Sequence, residues 1–188
     1  MLEQKENDRD YFFEVEYDSE GVHCPHCSCF LLDKHGLLEK QVMDTPIHGK
    51  RVGVLFRRRR FKCKNCGKTF IQDVPELDEK RAMTNRLVKY IEREVFRHTF
   101  VALSDDVGVD KKTIRNIFRD YVARLERDRV TLAPQWLGID ELKLAGGYRG
   151  VFSDVKGRSI LELLNNRKKT VVAKFLAGLP LRDKVELV

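Results

Sequence analysis

Apolar positions recur with a helical period in the middle of the chain and with strand-like runs towards its end. From about Asp78 to Thr99, Met83, Leu87, Ile91 and Val95 return every four residues with Val88 beside them, which predicts one amphipathic helix. The stretch from Leu103 to Asp110 then reads as a short amphipathic segment, a glycine (Gly108) that tolerates positive φ, and an aspartate (Asp110) suited to capping the next helix. That helix is predicted from Lys111, with Ile114, Ile117, Phe118, Tyr121, Val122 and Leu125 turned inward. Lys111, Lys112, Arg115, Asn116 and Arg119 then face outward. A short helix, a glycine turn and a basic second helix make a helix-turn-helix pattern over 76–130. In such a helix Arg can pair with guanine and Asn with adenine in the major groove. An ordinary helical hairpin has the same pattern, so the choice rests on what stands beside it.

Past a linker at 131–135, which holds Pro134, the pattern changes. Trp136–Leu144, Tyr148–Asp154 and Ser159–Leu164 read as strands, with turns at Ala145-Gly146-Gly147 and Lys156-Gly157-Arg158. Thr170–Gly178 reads as a helix, and Val185–Val188 begins a further apolar run. The expected order is three antiparallel strands, a helix and the start of a fourth strand. Before the helices, Val52, Val54, Leu55 and Phe56 predict a strand within Lys50–Phe61. Residues 1–20 are a polar, acidic-leaning lead-in, where Tyr11, Phe12, Phe13 and Val15 suit either a short strand or a helical turn.

Chemistry enters with the cysteines. Cys24-Pro-His-Cys27 and Cys63-Lys-Asn-Cys66 are two C-x-x-C pairs, each able to form a knuckle with both thiolates on one side. Together they offer four sulfurs to one tetrahedral structural zinc within a module over 21–75. Cys29 lies too close behind Cys27 to complete the same knuckle, so it is read as a non-ligand. His23, His26 and His48 are read as surface histidines, because four cysteines already fill the tetrahedron.

Charge sharpens the picture. The chain carries a net +7, and between Lys50 and Lys68 there are nine Lys/Arg residues and no Asp or Glu. Arg57, Arg58, Arg59, Arg60 and Lys62 are therefore read as phosphate contacts, which add affinity and salt dependence without reading sequence. The polar N-terminus lacks a secretory signal and no apolar run suits a membrane span. These features predict a cytoplasmic or nuclear protein, nucleoid-associated if DNA-bound, whose cysteines bind metal rather than form disulfides.

In this order the features resemble an insertion-sequence transposase with a zinc-binding head, a helix-turn-helix and a DDE catalytic domain of RNase H-like fold. The residues that carry the resemblance are Arg-Arg-Phe-Lys-Cys63-Lys-Asn-Cys66-Gly-Lys-Thr-Phe70, Val-Gly-Val-Asp-Lys-Lys-Thr-Ile114, and Leu-Gly-Ile-Asp140-Glu followed by the Tyr148, Asp154 and Gly157-Arg158 hairpins. They cover nearly all of 21–188. The implied architecture is multi-domain α+β: a small zinc-ribbon or treble-clef-like module, a helix-turn-helix domain, and an incomplete RNase H-like α/β domain over 136–188.

The resemblance makes Asp140 the first of three catalytic carboxylates, which in that family hold two divalent metals, usually magnesium, for in-line attack on a phosphodiester. Glu141 should point to the other side of the strand. No residue matches the second or third carboxylate, and Asp154, Asp183 and Glu186 correspond to neither role. The expectation is a truncated or frameshifted product, inactive alone, that binds double-stranded DNA at the element's terminal repeats, with self-association left open. Magnesium is expected only for a complete catalytic domain. Two other classes suit parts of the sequence: a zinc-containing helix-turn-helix regulator without catalysis, and a zinc-stabilised protein-interaction module.

Overall fold

A computed structural model of the chain describes residues 3–17 and 21–186. It divides into two compact units, Met1–Leu125 and Glu126–Val188. The first unit is built on a sheet. β1 (Glu3–Glu6) and β2 (Asp10–Tyr17) form a hairpin, and β3 (Leu32–Ile47) and β4 (Lys50–Cys63) form a much longer one. β5 (Thr69–Ile71) pairs with the end of β4, and β6 (Leu77–Asp78) and β7 (Met83–Thr84) add at the other side. The strand order is β1-β2-β4-β3-β7-β6, with β2 running parallel to β4.

The lead-in is thus an integral part of the sheet: Asp10–Tyr17 is a strand, which decides between the two readings of Tyr11 to Val15. Residues 1, 2 and 18–20 of that predicted segment lie outside the described residues. β3 has no counterpart among the predicted strands, because its half nearest the cysteines is exposed and follows no two-residue alternation.

Three helices come next in the chain: α1 (Asn85–Glu94), α2 (Phe100–Val107) and α3 (Lys111–Asp128). The single helix expected over Asp78–Thr99 is therefore shorter at both ends. At its start, Asp78 accepts the Arg81 N–H at 3.0 Å and closes a turn. Met83 pairs with Met43 of β3, and the Thr84 hydroxyl accepts the Leu87 N–H at 3.2 Å as the helix cap. At its end, Thr99 caps α2 by accepting the Ala102 N–H at 3.2 Å, so a new helix starts where the old one was expected to finish. Met83, Leu87, Ile91, Val95, Leu103, Val107, Val109, Ile114 and Ile117 form one buried core. Phe118 packs partly buried against it, whereas Leu125, expected to face inward, is exposed.

The sheet has a second core of Val42, Val52, Val54, Val74 and Leu77. Val74 and Leu77 come from the segment leading into α1, so this core already ties the sheet to the helices.

In the second unit β8 (Leu137–Leu144), β9 (Gly147–Asp154) and β10 (Ser159–Leu163) form an antiparallel sheet in the order β10-β9-β8. α4 (Lys169–Gly178) comes next, and the ring of Phe175 from it packs tilted against the buried Phe152 of β9, with centroids 4.4 Å apart. These elements agree with the expected ones to within a residue. Of the expected run over 185–188, Val185 and Glu186 follow a 3-10 turn at Arg182–Lys184 and are not in a strand, and Leu187 and Val188 lie outside the described residues. β8 is an edge strand among the described residues.

Candidate metal centre and nucleic-acid surface

The two C-x-x-C segments fold as matched knuckles. The Ser28 N–H bonds to Cys24 O at 2.8 Å, and the Gly67 N–H to Cys63 O at 2.9 Å. The residue after each second cysteine turns left-handed, Ser28 at φ 57 and Gly67 at φ 70. Cys24 Sγ lies 3.6 Å from Cys66 Sγ, Cys27 Sγ lies 3.6 Å from Cys63 Sγ, and all four sulfurs fall within 4.8 Å of one another. Zinc–sulfur bonds of about 2.3 Å give a tetrahedron with edges of about 3.8 Å, so the four sulfurs fit a zinc ion closely.

Backbone N–H groups of Cys66 and then Asn65 bring the Cys63 thiol down to about 6. Cys66 also receives an N–H, from Lys68, but burial and the three neighbouring sulfurs push it up to about 12. Four thiolates packed this closely need a cation among them, and these are the residues that would hold zinc. Cys29 is outside the cluster, and its carbonyl accepts the Cys24 N–H at 2.9 Å. His23, His26 and His48 are exposed.

The helix-turn-helix is formed as its residues suggested. Gly108 is left-handed at φ 71, and its N–H bonds to Ser104 O at 3.0 Å. Asp110 accepts the N–H groups of Lys112 at 2.9 Å and Thr113 at 3.0 Å, which starts α3. These bonds hold its carboxyl below the usual range, the Thr113 hydroxyl contributing most. Ile114 and Ile117 anchor α3 in the core, so Lys111, Lys112, Arg115, Asn116 and Arg119 stand exposed in an outward row. Among the described residues none of those four cations forms an ion pair with an acid.

The arginine run differs from its expected form. The counter-charges missing from Lys50–Lys68 are supplied by neighbouring strands. Arg57 bonds to Glu14 of β2 and Glu39 of β3, and Arg59 bonds to Glu16 of β2 at 2.5 Å. Arg58 is buried, 6% exposed, and its guanidinium bonds to Glu79 in the β6–β7 turn. Of the run, Arg60 and Lys62 remain exposed, with Arg60 bonding to the Thr69 hydroxyl at 3.2 Å. The basic surface of the sheet is therefore confined to its cysteine end.

Asp140 is exposed on β8, where its carboxylate accepts the Glu141 N–H at 2.7 Å, and Glu141 pairs with Arg167. Among the described residues the four cysteines are the only grouping of three or more His, Cys, Asp or Glu placed to share a metal. Among the described residues no carboxylates are grouped to share a metal with Asp140. No helix among the described residues is long and apolar enough to cross a membrane.

Sequence comparisons agree with this geometry. Residues 20–66 match the zinc finger of the IS204/IS1001/IS1096/IS1165 transposases, and residues 72–122 match the helix-turn-helix domain of the ISL3 transposase family. A transposase for insertion sequence element IS1001 from Bordetella parapertussis is 23% identical over 159 residues, which is 84% of this chain. The chain spans 39% of that relative's length. No solved structure matches.

Proposed function

We propose that the chain, whose residues 20–66 and 72–122 match the zinc finger and the helix-turn-helix of ISL3-family transposases, is the part of such an enzyme that recognises the ends of its insertion element. The observation that carries this reading is the outward row on α3. Its inner face is committed to the core while Lys111, Lys112, Arg115, Asn116 and Arg119 are left for another molecule. Arg115 and Asn116 are assigned to base edges in the major groove, and Lys111, Lys112 and Arg119 to phosphates or bases flanking them. Arg60 and Lys62, beside the zinc site, are assigned to the DNA backbone. Arg57, Arg58 and Arg59 act chiefly within the protein. Competition between terminal-repeat and scrambled duplexes for the zinc-loaded chain tests the proposal. Preferential retention of the repeat is expected, and equal competition would reduce the role to backbone binding.

We also propose that 136–188 forms the opening part of an RNase H-like catalytic domain, with Asp140 as its first carboxylate. Three antiparallel strands followed by a helix support this, as does the Glu186 N–H bonding to Gln135 O at 2.9 Å, which returns the chain alongside the start of β8. With one assigned carboxylate, these 188 residues tested alone with magnesium are expected not to join DNA. Robust strand transfer would overturn that expectation.

A further inference from the structure

The segment between the sheet and α1 is more than a linker, and Glu79 sits at its centre. Its carboxylate bonds to the buried Arg58 of β4 and to Lys40 of β3, and its carbonyl accepts the Lys40 ammonium at 3.0 Å. The Lys40 bond leads in holding the Glu79 carboxyl below the usual range. On either side of Glu79 the same segment is fastened again. The Arg81 guanidinium bonds to Asp78 at 2.5 Å and reaches Asp120 on α3. Ala82, left-handed at φ 50, presents its carbonyl to the Met43 N–H at 3.1 Å. Thr84 donates its hydroxyl to the buried Asp44 at 2.6 Å, and Arg86 bonds to the same carboxylate.

Glu79 thus links the two DNA-facing surfaces of this unit. Arg58 lies two residues from Arg60, on the strand that ends in Cys63. Arg81, two residues the other way, holds the middle of α3. Arg58 spends its charge inside the protein, and its Nε has no hydrogen-bond partner among the described residues. Glu79 is therefore the acid that satisfies a buried cation.

We propose that Glu79 is a positioning residue for DNA recognition. By clasping Arg58 and Lys40 it fixes the strap 78–84, so that α3 and the Arg60–Lys62 surface engage DNA in one fixed register. The inference rests on the DNA-binding reading above. It adds that the ribbon and the helix-turn-helix act as a single body rather than as two modules on a tether.

The test compares Glu79→Gln with Glu76→Gln. Glu76 is an exposed acid three residues earlier whose side chain makes no ion pair among the described residues, so both changes raise the net charge equally. A pure charge effect makes both variants bind all DNA slightly more tightly. Positioning instead makes only Glu79→Gln lose discrimination between terminal-repeat and scrambled duplexes, by roughly three- to thirtyfold, while its affinity for scrambled DNA is kept or raised. Phosphate-ethylation interference should also lose its sharp positions on the ribbon side.

The double variant Arg58→Met/Glu79→Gln removes the buried cation together with its acid, and so tests the clasp without stranding the Arg58 charge, while the partly exposed Lys40 ammonium is left to solvent. It should lose discrimination in the same way. If wild type discriminates and both clasp variants match Glu76→Gln, the positioning role is wrong. If wild type itself fails to discriminate, the DNA-recognition reading fails first.

Discussion

Gly108 of the helix-turn-helix lies hard against Met43 of β3: a methyl group added at Gly108 would sit 2.8 Å from Met43 Cε and 3.0 Å from Arg51 Cδ. The glycine is also left-handed, at φ 71. Two independent demands therefore fall on one position, a backbone conformation and a close approach to the sheet. Gly108→Ala should destabilise the first unit by about 1–2 kcal/mol, mostly from the left-handed backbone. The methionine end is flexible, so Met43→Ala should recover only the smaller, steric part. A double-mutant cycle by urea denaturation measures that share, and strict additivity of the two changes would show that the contact carries no energy.

Asp44 should be the most sensitive acid in the chain. It is 3% exposed and accepts from Thr84, the Thr45 N–H and Arg86. Asp44→Ala leaves the Thr84 hydroxyl without its acceptor at the start of α1, and should cost about 2–3 kcal/mol. Burial acts to raise the Asp44 pKa, but Arg86, Thr84 and Thr45 outweigh it, so the net shift is downward. A carboxyl depressed in the folded state stabilises the fold above its unfolded pKa, near 4, and loses that contribution as the pH falls through the folded value. Stability should hold from neutral pH to about 5 and decline below about 4. The decline should be shallower in Asp44→Asn; identical acid profiles for the two proteins would assign the loss to other groups.

The cysteine knuckles and α3 were legible in the sequence because their determinants are local. A cysteine pair, a glycine turn, a capping aspartate and a three-to-four-residue apolar period each lie within a few positions of what they control. The pairing of the arginine run was not legible, for the opposite reason. Arg57, Arg58 and Arg59 meet their acids across strands, with Glu39, Glu79 and Glu16 lying 18, 21 and 43 positions away. No pattern within Lys50–Lys68 contains that information. Met83 is core, as its apolar period suggests, but strand rather than helix, because a buried residue beside a helix keeps the period even when it belongs to a strand. The RNase H-like reading of 136–188 rests on element order and on Asp140, neither of which requires particular neighbours in space.

Zinc should hold only part of the first unit. The buried core of α1–α3 contains none of the cysteines, whereas the knuckles close the ends of β4 and β5. Chelation, or Cys63→Ser, should release a single zinc per chain and lower the β-sheet signal in circular dichroism while most of the helical signal remains. Loss of the entire folded signal would mean that the helices depend on the metal for their structure.

Changes on the two basic surfaces should separate by kind. Arg115→Ala should weaken binding to the terminal repeat by about 1–3 kcal/mol and leave scrambled DNA nearly unaffected. Arg60→Ala or Lys62→Ala should weaken binding to every duplex and lower the slope against log salt by about 1. Uniform losses for Arg115→Ala would remove its base-reading role.

The most direct measurement is fluorescence anisotropy of the zinc-loaded chain on the element's terminal repeats and on scrambled duplex, across a salt series. Recognition of the ends predicts a preference for the repeats that persists as salt rises, on top of a shared electrostatic slope. Equal affinity for both duplexes at every salt concentration would contradict it.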